Sequence, residues 1–148
     1  MRRTRKVKTP RQKLAAECMK LWKEAVKLRD FYICRLCGKP GNHPHHHFTD
    51  KAHPLTRYAL LNGVTLCPSC HYKVHRRGQF EKVRAAIVAE IGSDSFDSLY
   101  QLAYCQNTTE IQDLEHTKAY LTTERDKFKM RYLNDHQLMR GDFYGGKL

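Results

Sequence analysis

Hydrophobic residues recur three or four positions apart near the start of the chain, which predicts a basic amphipathic helix over residues 9–30. Thr9, Pro10 and Gln12 form its start signal: a capping side chain, a proline in the first turn and a glutamine that closes a capping box. The opposite face is rich in lysine and arginine. The apolar stripe consists of Leu14, Cys18, Leu21, Trp22, Ala25 and Leu28.

Residues 79–148 carry further helical patterns and are predicted to form a helical C-terminal region that ends in a loose tail. Phe80 to Ile91 reads as one helix, which Gly92 ends. A later stripe predicts a helix with one apolar face, which packs either onto the rest of the chain or across a homodimer. This stripe contains Ile111, Leu114, Leu121, Phe128 and Tyr132.

The segment 31–78 lacks a long helical period and is dense in cysteine, histidine and turn residues. Short strands followed by a helix, flanked by longer helices, predict an α+β chain. The predicted elements are strands at residues 31–33, 45–48 and 64–66, a loop at residues 49–60, and a helix that begins at Pro68.

The net charge is +12, and it is unevenly distributed. The first 90 residues carry 20 basic and 6 acidic side chains, whereas residues 91–148 carry 7 and 9. A basic part of this strength indicates a polyanionic partner, most simply nucleic acid. Residues 1–8 are too basic to fold alone and are predicted to be a flexible arm. The candidate phosphate contacts are Arg2, Arg3, Arg5, Lys6, Lys8, Arg57, Arg76 and Arg77.

Two other classes of protein are excluded by the pattern. No run of about 18 apolar residues exists, so we expect no membrane span. The basic N-terminus is not followed by an apolar stretch, so we expect no secretory signal. The expected location is therefore the cytoplasm.

Four of the six cysteines stand in two Cys-x-x-Cys pairs, and a Cys-x-x-Cys turn brings two thiolates to one ion. Two such turns complete a closed tetrahedral site, so the sequence predicts structural zinc at Cys34, Cys37, Cys67 and Cys70. Disulfides are the alternative for a secreted chain, but no signal supports secretion. The remaining two cysteines lie in helical patterns and are expected in the core.

The histidines of this segment are not needed by the zinc site. His71 and His75 are four apart on a predicted helix and can share a second ion. The triplet 45–47 lies on a predicted strand, where neighbouring side chains face opposite ways. One of its histidines can therefore ligate the ion while its neighbour acts as a general base toward water. A metal ion, a base and a basic surface are what hydrolysis of a nucleic-acid backbone requires.

The segment 31–78 resembles the HNH nucleases. The matching motifs are His46-His47-Phe48, an asparagine five positions before the second cysteine pair, and Cys67-Pro68-Ser69-Cys70-His71 with a further histidine four positions on. The resemblance implies a ββα-metal fold, so the expected architecture is a small zinc-stapled module between an N-terminal helix and a helical C-terminal region.

The resemblance also implies roles for individual residues. His47 would be the general base, and Asn62 would hold the loop between the strands and orient that base. His46, His71 and His75 would ligate one catalytic divalent ion, which is Mg²⁺, Mn²⁺, Ni²⁺ or Zn²⁺.

The expected function is therefore a metal-dependent endonuclease that hydrolyses phosphodiester bonds of DNA. The order of helix, module and further helices is similar to that of the phage NinG/Rap recombination endonucleases. This similarity implies branched or nicked DNA as substrate and the cytoplasm of a bacterial or phage-infected cell as location. The alternative is a zinc module that binds DNA without cutting it. The two differ in the number of ions bound, since the binding module holds one zinc and the nuclease holds a second, weaker ion.

Overall fold

The computed structural model describes residues 7–49, 53–76, 80–104 and 113–141. Helix α1 spans Pro10–Arg29 and begins as predicted, because Thr9 accepts a hydrogen bond from the backbone of Gln12 while the Gln12 side chain accepts one from the backbone of Thr9. The capping box satisfies two amide groups that a helix start otherwise leaves without partners.

The chain is α+β, with a small antiparallel sheet inserted between helices. Strand β1 (His45–His47) pairs with β2 (Gly63–Thr65), and His46 stands opposite Val64 in the register. A 3₁₀ turn at Leu60–Asn62 leads into β2. The helices that follow are α2 (Pro68–Val74), α3 (Phe80–Ile91), α4 (Ser93–Tyr104) and α5 (Leu114–Gly141).

The predicted strand at residues 31–33 is reduced to an isolated antiparallel bridge between Ile33 and Pro40, and it is wrong for Phe31 and Tyr32. Phe31 and Tyr32 have φ angles of 55° and 56°, and their amides bond back to the carbonyls of Leu28 and Lys27. This is a Schellman-type helix end, in which the left-handed residue is usually glycine and here is phenylalanine. Both aromatic rings pack near Tyr132 of α5, at centroid distances of 6.1 and 5.5 Å. Their aromatic character reflects this packing and not a strand.

The sheet separates two hydrophobic clusters. On one side, Val64 and Leu66 pack with Val74, Phe96 and the buried cysteines of the module. On the other side, α1 and α5 enclose the second cluster, which contains Cys18, Trp22, Val26, Tyr58, Leu114 and Leu121. Each face of the two short strands is therefore covered by helices, which fixes the direction of every side chain on β1.

The apolar stripe of α5 packs within the chain. Leu114 and Leu121 are buried against α1, and Lys118 lies 2.7 Å from Glu17 at the rim of that contact. Ile111 of the predicted stripe lies outside the described residues. None of the described helices has the length and apolar character needed to cross a membrane.

The end of α1 is bonded directly to the sheet. Asp30 is buried, and its carboxylate accepts hydrogen bonds from the Thr65 amide at 2.7 Å and from the Arg29 guanidinium at 2.9 Å. The same guanidinium donates to the carbonyls of Leu60 and Gly63, each at 2.7 Å. Because the buried charge is paired and fully hydrogen-bonded, this network locks α1 against β2.

Candidate metal centre

The four predicted zinc cysteines come together in space. Their sulfur atoms all lie within 4.8 Å of one another, and the sulfurs of Cys37 and Cys67 are 3.7 Å apart. Sulfurs at about 2.3 Å from a tetrahedral zinc ion would stand about 3.8 Å apart. The donor set and its spacing therefore fit a structural zinc, and the cluster could hold one.

Local backbone structure forms both cysteine turns. In the first, the amide of Gly38 donates to the carbonyl of Cys34 at 2.8 Å. Gly38 has a φ of 72°, a backbone angle that a residue with a side chain would adopt only under strain. In the second, Cys67 is the N-cap of α2, and its sulfur accepts from the amide of Cys70 at 3.5 Å. The helix start thus stabilises one thiolate.

The thiols do not titrate alike. Burial opposes ionisation of Cys34, but backbone amides of Cys67 and of its own turn outweigh that effect and lower the pKa of Cys34 to about 6. Burial, together with hydrogen bonds to the neighbouring thiols, raises the pKa of Cys70. Four thiolates crowded in one cluster, three of them buried, require a compensating cation, and a zinc ion would supply that charge.

Three histidines form a second, separate cluster. The ring of His46 on β1 lies 5.2 Å from each of His71 and His75, and those two rings are 4.9 Å apart. One nitrogen of each lies within 4.8 Å of the others, so the three could hold one ion after small side-chain rotations. His75 is the C-cap of α2 and not its interior, but its helical backbone angles keep it one turn from His71.

The environment of this cluster favours neutral imidazoles. Burial lowers the pKa of His46 to about 4, with the nearby His71 and His75 acting in the same direction. Burial also lowers the pKa of His71. A neutral imidazole is the form that ligates a metal ion, so the cluster is suited to a borderline divalent cation. Because His75 is exposed and the other two are half-buried, this site is open to solvent, whereas three of the four cysteines are buried and only Cys37 is exposed.

His47 lies on the opposite face of β1, as strand alternation predicts. Its ring stacks on the indole of Trp22, with centroids 3.9 Å apart and an interplanar angle of 11°. Its Nε2 is 3.1 Å from the carbonyl oxygen of Arg57. Since a carbonyl only accepts, Nε2 carries the proton in the neutral ring and the basic lone pair is on Nδ1. His45 shares this face and meets Trp22 edge-on at 5.4 Å.

Asn62 is fully buried and holds the loop between the strands. Its side-chain oxygen accepts from the amide of Thr49 at 2.7 Å, and its side-chain nitrogen donates to the carbonyl of Thr56 at 2.9 Å. The hydroxyls of the two threonines are also 2.7 Å apart. Arg57, whose carbonyl meets His47, directly follows Thr56, so Asn62 fixes the acceptor that orients His47.

The predicted phosphate contacts are only partly described. Lys8 is exposed at the start of α1, and Arg57 is half-buried. Arg76 is exposed, bonds to the hydroxyl of Tyr72 and stacks over its ring at 4.5 Å. Arg2, Arg3, Arg5, Lys6 and Arg77 lie outside the described residues.

Two residues of this site were not predicted as such. Trp22 was expected only as a core residue of α1, yet it also stacks on His47 and donates from Nε1 to the carbonyl of Ala59 at 2.9 Å. Gly63 makes room for it, because a Cβ there would lie 2.3 Å from Cζ2 of the indole. The one available signal was a single tryptophan on the helix that precedes the module.

No family model, no curated protein and no solved structure matches this chain. The case for function therefore depends on the residues themselves.

Proposed function

We propose that this protein is a metal-dependent endonuclease of the HNH type that hydrolyses phosphodiester bonds of DNA. The observation that carries the proposal is the convergence of His46, His71 and His75 in an open cluster distinct from the four cysteines. A zinc-binding module alone does not need a second set of metal-binding side chains. The order of the paired strands and α2 agrees with the ββα-metal arrangement that the sequence resembles.

Each group has a role in that proposal. The cysteine cluster joins the two ends of the module and keeps β1 and α2 in place. The three histidines would hold a divalent ion, which when bound supplies a positive charge for a phosphate oxygen and for the leaving oxygen. The basic surface of the first 90 residues attracts the DNA backbone.

His47 would take the proton from the attacking water. Its Nδ1 carries the lone pair, and the Arg57 carbonyl accepts from Nε2–H and stabilises the imidazolium that forms. The face of Trp22, stacked on the same ring, favours a cation through its π electrons. His47 is thus held in one orientation by a hydrogen bond at one edge and an aromatic ring across one face.

The test is cleavage of plasmid DNA by the zinc-loaded chain with added Mg²⁺, Mn²⁺ or Ni²⁺. We expect metal-dependent nicking, and we expect His47→Ala to reduce its rate by 10²–10⁴-fold, on the order of the contribution of a general base. His45→Ala is the matched control on the same strand face and should keep most of the activity. Full, metal-dependent cleavage by the His47→Ala variant would overturn the assignment of the base.

A second candidate is a DNA-binding module that does not cut, which the closed cysteine cluster and the basic charge favour. Ion stoichiometry separates the two. The endonuclease should bind a second, weaker divalent ion that His46→Ala abolishes and His45→Ala does not. A single zinc per chain, with no effect of further metal, would favour the binding module.

A further inference from the structure

A cavity of about 410 Å³ opens beside β1, between the residue that follows the strand and helices α3 and α4. Its size falls within the range of small-ligand sites, which is roughly 300–1,000 Å³. Phe48 lines it, and the ring of Phe48 lies 6.3 Å from that of His46. Successive bases of one DNA strand are about 3.4 Å apart, so this distance is shorter than two base steps. A base and a phosphate of neighbouring nucleotides can therefore reach Phe48 and His46 together. The cavity thus adjoins the histidine cluster on the same face of the sheet.

The walls of the cavity are aromatic. Tyr100 and Tyr104 of α4 line it with ring centroids 4.7 Å apart, and both side chains are about half exposed, at 52% and 53%. Phe48 and Phe96 form the deeper part, 6.5 Å apart. Exposed aromatic rings of this kind provide stacking surfaces for unpaired bases, and stacking tolerates any base sequence.

The charged groups in the cavity favour a base over a phosphate. Glu81 and Asp97 contribute two carboxylates, whereas Arg84 contributes one cation. Arg84 is already engaged, 3.7 Å from Glu81 and 5.0 Å over the ring of Phe96. The excess negative charge repels phosphate, and carboxylates accept hydrogen bonds from the amino groups of bases such as cytosine.

We propose that this cavity binds an unpaired nucleobase of the DNA strand whose phosphate lies at the three-histidine cluster. The proposal rests on the proposed endonuclease function and names its substrate class: DNA with an unpaired nucleotide, as at a gap, flap or junction. The base stacks on the ring of Tyr100, which is tilted by 45° from that of Tyr104, so Tyr104 borders the base at an angle. The negatively charged backbone stays outside the cavity. A fully paired duplex offers no such base without unstacking it.

The experiment compares two gapped duplexes that differ at one unpaired position, which holds either cytosine or an abasic residue. Binding is measured with the full-length, zinc-loaded chain and no further divalent ion. We expect the cytosine probe to bind about tenfold more tightly, in line with the stacking of one base. Tyr100→Ala should reduce that preference to about twofold or less. Tyr120→Ala, with a similarly exposed tyrosine on α5 outside the cavity, should keep it.

The outcomes separate this inference from the endonuclease proposal. Equal binding of both probes by the unmodified chain, or an unchanged preference in Tyr100→Ala, would overturn the base site even if plasmid DNA is cut. A preference that depends on Tyr100, without cleavage of any DNA under any metal, would support the base site and overturn the endonuclease. A loss of preference in Tyr120→Ala equal to that in Tyr100→Ala would also count against the cavity.

Discussion

The indole of Trp22 lies parallel to the imidazole of His47, 3.9 Å from it, at the point where α1 crosses the sheet. Gly63 stands opposite His47 in the strand register, and its missing side chain leaves the space that the indole fills. The three residues come from α1, β1 and β2. The orientation of His47 therefore depends on a contact between the N-terminal helix and the module.

Gly63→Ala should destabilise the protein by about 1–3 kcal/mol, because the new Cβ would meet the indole carbon Cζ2 at 2.3 Å. The same change in a Trp22→Leu background should have a smaller effect, since the smaller side chain removes the shortest contacts and leaves the one to Val26 at 2.9 Å. A double-mutant cycle from chemical denaturation measures the coupling. Additive effects would show that the two positions do not crowd each other.

Asn62→Ala should lower the free energy of unfolding by about 2–4 kcal/mol, because it leaves the buried amide of Thr49 and the carbonyl of Thr56 without their partner. It should also slow DNA cleavage, though less than His47→Ala, by loosening the loop that carries the Arg57 carbonyl. Asn42→Ala is the control, since that exposed side chain bonds only to Lys27 among the described residues. Equal stabilities of the two variants would contradict the role of Asn62.

Cys34→Ser should abolish the tightly bound zinc and unfold the module, because a structural zinc site supplies folding free energy. Cys18→Ala should retain one zinc per chain, since Cys18 is buried in the other cluster and its thiol donates to the carbonyl of Leu114 at 3.4 Å. Metal analysis and circular dichroism of both variants check this. Zinc retained at full occupancy in Cys34→Ser would rule out the four-cysteine site.

Acidification should destabilise the metal-free protein through His45 and His46, which lie on opposite faces of β1. The folded-state pKa values of His45 and His46 are both lowered to about 4, mainly by burial, from an ordinary value of 6.5. Between these pH values the unfolded chain binds protons that the folded chain does not. The contribution of the two neutral histidines to the free energy of unfolding is therefore fully present above pH 6.5 and is lost as the pH falls toward 4. Melting temperatures across this range, with His45→Phe as comparison, should show a shallower decline in the variant. An identical decline would exclude His45 as a contributor.

Removal of residues 1–8 should weaken DNA binding for all sequences. Each arm cation that contacts a phosphate should contribute about 0.9 to the slope of log affinity against log salt, so the slope should flatten. Lys129→Gln, an exposed charge on α5, is the control and should leave the slope unchanged. A truncated chain with the original slope would show that the arm does not contact DNA.

Local signals in the sequence predicted much of this arrangement. The capping box at Thr9, the cysteine turns and the alternation of His46 and His47 each depend on neighbours within a few positions, and the structure has all of them. The end of α1 was predicted to within one residue, but the left-handed turn at Phe31 and Tyr32 was not, because neither residue is glycine and the sequence there looked like a strand.

Long-range contacts could not be predicted in this way. The pairing of Trp22 with His47 and the packing of Tyr132 against Tyr32 join positions far apart in the chain. Hydrophobic periodicity shows that a helix face is buried, but it does not identify the surface that covers it. For the same reason, the apolar stripe of α5 was compatible both with a homodimer and with packing inside the chain. In the structure, Leu114 and Leu121 of this stripe pack against α1.

Trp22 is the single tryptophan of the chain, and its indole is stacked on His47, the proposed general base. The ultraviolet emission of the protein therefore originates chiefly from one fluorophore beside His47. Imidazolium quenches indole emission more strongly than imidazole does, so the emission should report protonation of the two imidazoles that contact the indole, those of His47 and His45. Trp22 is thus an intrinsic fluorescent probe beside the proposed general base. Stopped-flow mixing with DNA could follow changes in its emission without any added label.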